Sequence, residues 1–134
     1  MPRAVARRRE GYTHDVEIEG GHSLVVDEPE DSGGANHGPS PTRLTAAALA
    51  SCTAITMEMY ADHKGWELPD AEVVVDMEYG QSGVPSSFVV TLKLPKELSE
   101  EQQERLKVIA GKCPVHRVLS HETEVSIEDR VELV

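Results

Sequence analysis

Ser40-Pro41-Thr42-Arg43-Leu44-Thr45-Ala46-Ala47-Ala48-Leu49-Ala50-Ser51-Cys52-Thr53-Ala54-Ile55-Thr56-Met57 is the stretch on which the fold turns. Ser followed by Pro is the order found where a helix starts: a capping hydroxyl, then a ring whose φ is already helical. Gly65 is the next residue able to stop it, so the spacing predicts a helix from Pro41 to about Lys64. Between Leu44 and Met57 no side chain is charged on any face. A helix apolar all round is surrounded by protein. A chain of 134 residues has trouble covering such a helix alone. A second subunit is therefore expected, most simply in a two-fold homodimer.

Strand patterns lie on both sides of this helix. Residues 12–19 alternate, with Tyr12, His14, Val16 and Ile18 on one face and Thr13, Asp15, Glu17 and Glu19 on the other. Gly20-Gly21 forms a hairpin turn into a strand over His22–Asp27, because both glycines accept positive φ. An earlier strand over Arg3–Arg9 turns at Glu10-Gly11. Residues 28–41 have loop composition. Alternation returns over Glu72–Tyr79 and Phe88–Leu94, joined by a long loop, Gly80–Ser87. Ser99 with Gln102 forms a capping box opening a helix whose core face carries Leu106, Ile109 and Ala110. Gly111 interrupts it, and Pro114 restarts a short helix to about Ser120. Glu124–Val134 reads as a final strand, with Val125 and Ile127 on one face. The sum is one α+β domain over residues 1–134, with antiparallel sheets packed around a long central helix.

Charge excludes several classes of function. The chain has 24 acidic and 13 basic side chains, a net charge of −11. Such a surface repels nucleic acid and anionic membrane, so neither is an expected partner. Arg7-Arg8-Arg9 is the one basic cluster, and its plain reading is a solvated strand edge. The uncharged run is too short to span a bilayer. No apolar segment follows the first arginines, so a cytoplasmic location is expected. The chain contains no G-x-S-x-G, no phosphate loop and no G-x-G-x-x-G.

Chemistry is concentrated in two cysteines. Cys52 lies on the helical row Leu44, Ala48, Cys52, Ile55, Met59. Its plain reading is a small core hydrophobe. Burial raises a thiol pKa, so a reactive Cys52 needs a cation nearby. Cys113, before Pro114, occupies a helix-capping position, where free N–H groups favour a thiolate. His116, one turn on, could add a proton acceptor or a positive charge. In a reducing cytosol, two cysteines point to a transient bond, to a metal site or to neither. Cys113-x-x-His116 with Cys52 is the candidate ligand set for a metal.

The motifs Gly38-Pro39-Ser40-Pro41, Ala46 through Cys52, Met59-Tyr60-Ala61, Gly65-Trp66 and Cys113-Pro114-Val115-His116-Arg117 have a familiar order. Through them the chain resembles the OsmC/Ohr family, the osmotically inducible and organic-hydroperoxide-resistance proteins, and most of all its general OsmC-like branch. The resemblance implies an intertwined homodimer and an antioxidant, stress-response thiol peroxidase. It implies that Cys52 attacks an organic hydroperoxide and becomes a sulfenic acid, and that Cys113 condenses with it to a disulfide. An external dithiol, lipoyl in some members, then resets the pair without metal or prosthetic group. An apolar pocket at the dimer interface would receive the substrate. The family's activating Arg lies in an Arg-Asp-Gly turn, matched by Arg9-Glu10-Gly11, and is positioned by a Glu whose place is taken here by Thr42. That departure keeps a second reading open: a redox sensor or binder of small apolar ligands, with little peroxidase activity.

Overall fold

The computed structural model describes residues 1–134. Eight regular elements follow in order: β1 (Ala4–Glu10), β2 (Thr13–Ile18), β3 (His22–Val26), α1 (Pro41–Lys64), β4 (Glu72–Tyr79), β5 (Pro85–Lys93), α2 (Glu100–Ala110) and α3 (Pro114–Leu119). The mixed α+β architecture with a long helix is the one expected. Two compact units divide the chain: Met1–Ala47 with Met77–Phe88, and Ala48–Asp76 with Val89–Val134.

In the first unit, β1, β2 and β3 form an antiparallel sheet in sequence order. Gly20 (φ 109°) and Gly21 (φ 86°) make the β2–β3 turn, which brings Ile18 opposite His22. The register of β1 slips between Arg8 and Glu10. Burial in β2 differs from the simple alternation. Thr13, on the polar face, is its most buried residue, whereas Tyr12 is 56% exposed. Asp27 explains the inversion. It is buried, and it accepts hydrogen bonds from Thr13 Oγ1 (2.7 Å) and from the backbone N–H groups of Glu28 (2.7 Å), His37 (3.1 Å) and Ala35 (3.5 Å). This carboxylate gathers the loop over residues 28–38. Two glycines permit the close turns there. A Cβ on Gly34 would fall 2.0 Å from the Glu28 carbonyl oxygen, and one on Gly38 would fall 2.1 Å from that of Val25.

Ser40 caps α1 as its sequence predicts: Ser40 Oγ accepts from Arg43 N at 3.3 Å, and Leu44 N donates to Ser40 O at 3.0 Å. In the second unit the same helix buries Leu49, Thr53, Met57 and Ala61, a row spaced by fours. This corrects the expected row through Cys52. Ile55 and Met59 are 54% and 69% exposed, and Cys52 is half-buried. Within one chain the helix is covered on one side only. Its buried side meets Leu106 and Ala110 of α2, and the cluster is completed by Tyr60, Trp66, Leu68, Val73, Leu92, Leu94 and Leu98. Tyr60 ties α1 to α2 by accepting a hydrogen bond from Arg105 Nε (3.0 Å), and Trp66 packs edge-on against its ring.

Two further readings are adjusted. β5 begins at Pro85, three residues before the expected Phe88. Ser82 and Gly83 both take left-handed φ (60° and 70°), which shortens the turn and lets pairing start early. The capping box of α2 is formed as expected: Gln102 N donates to Ser99 Oγ, and Ser99 N donates to the Gln102 side chain. The expected strand over residues 124–134 is not formed. Val125, Ile127, Val131 and Leu133 are 60–93% exposed. Alternation encodes a strand, but a strand needs a neighbour to satisfy its backbone, and no strand of this chain pairs with it.

Candidate active site

The second unit brings Cys52 and Cys113 together. Cys52 is on α1; Cys113 lies just before α3. Their side chains lie close enough to interact, and both thiols are free. Cys113 is fully buried at 0% exposure. Its φ and ψ of −54° and 131° place it as the cap of α3, and its Sγ accepts from His116 N at 3.4 Å.

Burial pushes the Cys52 thiol up, and Cys113 beside it adds to the rise. The Val115 N–H and the Thr56 hydroxyl, both close to Cys52, pull the other way without winning. In the isolated chain Cys52 is therefore a thiol, and becoming a thiolate requires a cation. Sequence reading did not single out Thr56 or Val115. Thr56 is one helical turn after Cys52, a spacing that could have pointed to it. The Val115 N–H is brought to Cys52 only by tertiary folding.

Two buried polar atoms in this unit have no hydrogen-bond partner: Thr53 Oγ1 and His116 Nδ1. No group of three or more His, Cys, Asp or Glu side chains is arranged to hold a metal ion. Cys52, Cys113 and His116 are thus not assembled as a ligand set.

The first unit holds the other two positions of interest. Arg9 Nε donates to Asp15 Oδ2 at 3.2 Å and Arg9 Nη2 donates to Oδ1, an exposed pair across the β1–β2 hairpin. The pair raises the Arg9 pKa, chiefly through the hydrogen bond, and lowers that of Asp15. Thr42 Oγ1 lies 2.7 Å from Tyr79 OH and 3.5 Å from Ser40 Oγ. Nothing in the local sequence foretells the meeting of Thr42 with Tyr79, which is a long-range contact.

A family model described as OsmC-like protein matches residues 33–128, the span from the Gly33-Gly34 loop to the start of the tail. The chain belongs to the OsmC family. This OsmC-like protein shares its fold with several solved structures. One is a protein from Psychrobacter arcticus described as an osmotic stress induced and detoxification response protein (TM-score 0.79, 20% identity, 86% of this chain and 85% of that one). Another is an organic hydroperoxide resistance protein OsmC from Legionella pneumophila (TM-score 0.61, 22% identity, 89% and 88%). A third is the organic hydroperoxide resistance protein OhrB of Bacillus subtilis (TM-score 0.58, 24% identity, 88% and 89%). No curated protein matches the chain in sequence. No helix of this OsmC-like protein is long and apolar enough to cross a membrane.

Proposed function

We propose that this OsmC-like protein is a thiol-dependent organic hydroperoxide reductase. The observation that carries the reading is the contact between Cys52 and Cys113. Two free thiols from distant parts of the chain meet where one is sheltered and the other half-open. The Cys52 thiolate attacks one oxygen of the hydroperoxide; the O–O bond breaks, an alcohol leaves after taking up a proton, and Cys52 becomes a sulfenic acid. Cys113 then displaces that hydroxyl as water and forms the Cys52–Cys113 disulfide. An external dithiol, lipoyl in class, exchanges with the disulfide and restores both thiols. The cycle requires no metal or prosthetic group. Arg9 is the residue assigned to stabilise the Cys52 thiolate, and the reaction is placed in the cytoplasm.

The functional unit in this reading is an intertwined homodimer. The exposed Ile55 and Met59 on α1 and the unpaired alternating tail support it, since each presents apolar surface that a second copy would cover. The assay is consumption of an alkyl hydroperoxide with dihydrolipoamide as reductant. Cys52→Ser is expected to abolish turnover; turnover at the parental rate would remove Cys52 from the mechanism.

Three contacts favour a second reading, a slow redox sensor or a binder of small apolar ligands. The Cys52 thiol is held up rather than down, Arg9 is engaged by Asp15, and Thr42 is engaged by Tyr79. Thr42→Glu separates the two readings. A large rise in peroxidase rate would favour the slow parent, whereas an unchanged rate would show that the carboxylate is dispensable.

A further inference from the structure

The C-terminal end of α1 and the neighbouring side of α2 line an open groove of about 910 Å3, and neither cysteine is part of it. Two rings form one wall. Gly65 takes a left-handed φ of 72°, and the chain reverses there. Gly65 N donates to Asp62 O at 3.2 Å, and Trp66 N donates to Ala61 O at 2.8 Å. This paired closure of a helix end turns Trp66 back towards α1. Its ring centroid lies 5.6 Å from that of Tyr60, with 73° between the planes. Val108 of α2, 51% exposed, adds further apolar surface to the lining.

Two cations converge on the same groove. Lys64 Nζ lies 5.7 Å from the centre of the Tyr60 ring, and the guanidinium carbon of Arg105 lies 5.6 Å from it. Arg105 Nε donates to Tyr60 OH at 3.0 Å, which fixes the guanidinium and leaves its two terminal nitrogens to donate elsewhere. Neither cation is ion-paired with a carboxylate. The chain has 24 acidic side chains against 13 basic ones, and Glu101 stands one helical turn before Arg105, so partners are not scarce. Like charges drawn to one ring without a counter-ion repel each other, and an anion entering the groove relieves that repulsion. Glu101 and Glu104 also line the groove, and they oppose a doubly charged anion more than a singly charged one. The start of α2 is not the anchor, because Gln102 N is already taken by Ser99 Oγ.

We propose that this groove binds a small amphipathic monocarboxylate, its carboxylate held by Lys64 and Arg105 and its hydrocarbon laid against Trp66, Tyr60 and Val108. The planar fork of an arginine suits a carboxylate, and the rings and Val108 give the tail an apolar surface to leave water for. The inference is independent of the hydroperoxide reading, since the test reads binding and not turnover.

Trp66 is the only tryptophan in the chain, so its emission reports on the groove directly. Decanoate, decanol and decyl phosphate are titrated into the full chain above neutral pH, where the phosphate is doubly charged, and below the concentrations at which they aggregate. Decanoate is expected to give a saturable change in emission. Decanol should bind about 10-fold more weakly, the loss of one charge-assisted hydrogen bond, and the phosphate should also trail decanoate. Lys64→Gln and Arg105→Gln should each weaken decanoate about 10-fold and leave decanol unchanged. Arg105→Lys keeps the charge and should bind decanoate more tightly than Arg105→Gln, a rescue that a merely structural Arg105–Tyr60 bond would not produce. Should Arg105→Gln fail to fold, the exposed Lys64 carries the comparison. A change that does not saturate, equal binding of decanoate and decanol, or parental affinity in the folded glutamine variants would overturn the inference. Tighter binding of the phosphate than of decanoate would overturn the choice of a monocarboxylate.

Discussion

Thr53→Val should stabilise this protein although it removes a polar group from beside a candidate catalytic cysteine. Thr53 is 1% exposed on the buried row of α1, and its Oγ1 has no hydrogen-bond partner. A buried hydroxyl left unpaired costs about 1–3 kcal/mol relative to one in water. Valine has nearly the same shape and replaces that oxygen with a methyl whose burial contributes about 0.8 kcal/mol. The two residues have similar helix propensities, so α1 itself is indifferent to the change. Imperfect seating of the new methyl takes back part of the gain, leaving a net stabilisation of about 1–3 kcal/mol. For a chain of this length that corresponds to a rise in Tm of roughly 3–10 °C. Urea unfolding at one fixed protein concentration is the assay, because a second subunit would make the midpoint concentration-dependent. The midpoint should rise with the slope unchanged. A loss of about 1 kcal/mol or more would show that Thr53 Oγ1 is hydrogen-bonded after all and refute the reasoning.

Other expectations follow from the same contacts. Burial works to raise the Asp27 pKa, but hydrogen bonds from Thr13, Glu28, His37 and Ala35 outweigh it and hold the carboxyl at about 2, below its ordinary 3.8. A depressed carboxyl stabilises the fold above its unfolded pKa and loses that contribution as pH falls through the folded value. Thermal unfolding should therefore show a falling Tm between about pH 4 and pH 2, and Asp27→Asn, less stable at pH 7, should lose much of that dependence; an identical acid limb in the variant would contradict the assignment. Cys113→Ala removes one of the two influences that raise the Cys52 thiol, while burial, the larger, remains. Alkylation of Cys52 by iodoacetamide should move to lower pH, and an unmoved profile would deny the contact between the thiols.

Much of the local structure was legible in the chain because its causes are local. Ser40-Pro41 starts α1, Ser99 with Gln102 caps α2, and Gly20-Gly21 turns β2 into β3, each by chemistry contained in a few adjacent residues. The cysteine motifs were legible for the same reason. Burial was read less well. The row through Cys52 was expected inside, yet the chain buries the row beginning at Leu49, because α2 and β5 approach α1 from that side. Thr13 is buried against its pattern because Asp27 holds it there.

Taken alone, then, the order of residues determined where helices begin and end, which turns are possible and which thiols are present. Those outcomes depend on backbone conformations and caps that span at most a turn or two. Tertiary structure alone decided that Cys113 meets Cys52, that Thr42 meets Tyr79, that Arg9 faces Asp15 and that His116 Nδ1 is sheltered without a partner. Most of these are meetings between residues far apart along the chain, and in each case packing settles which groups share a dry space and which remain in water.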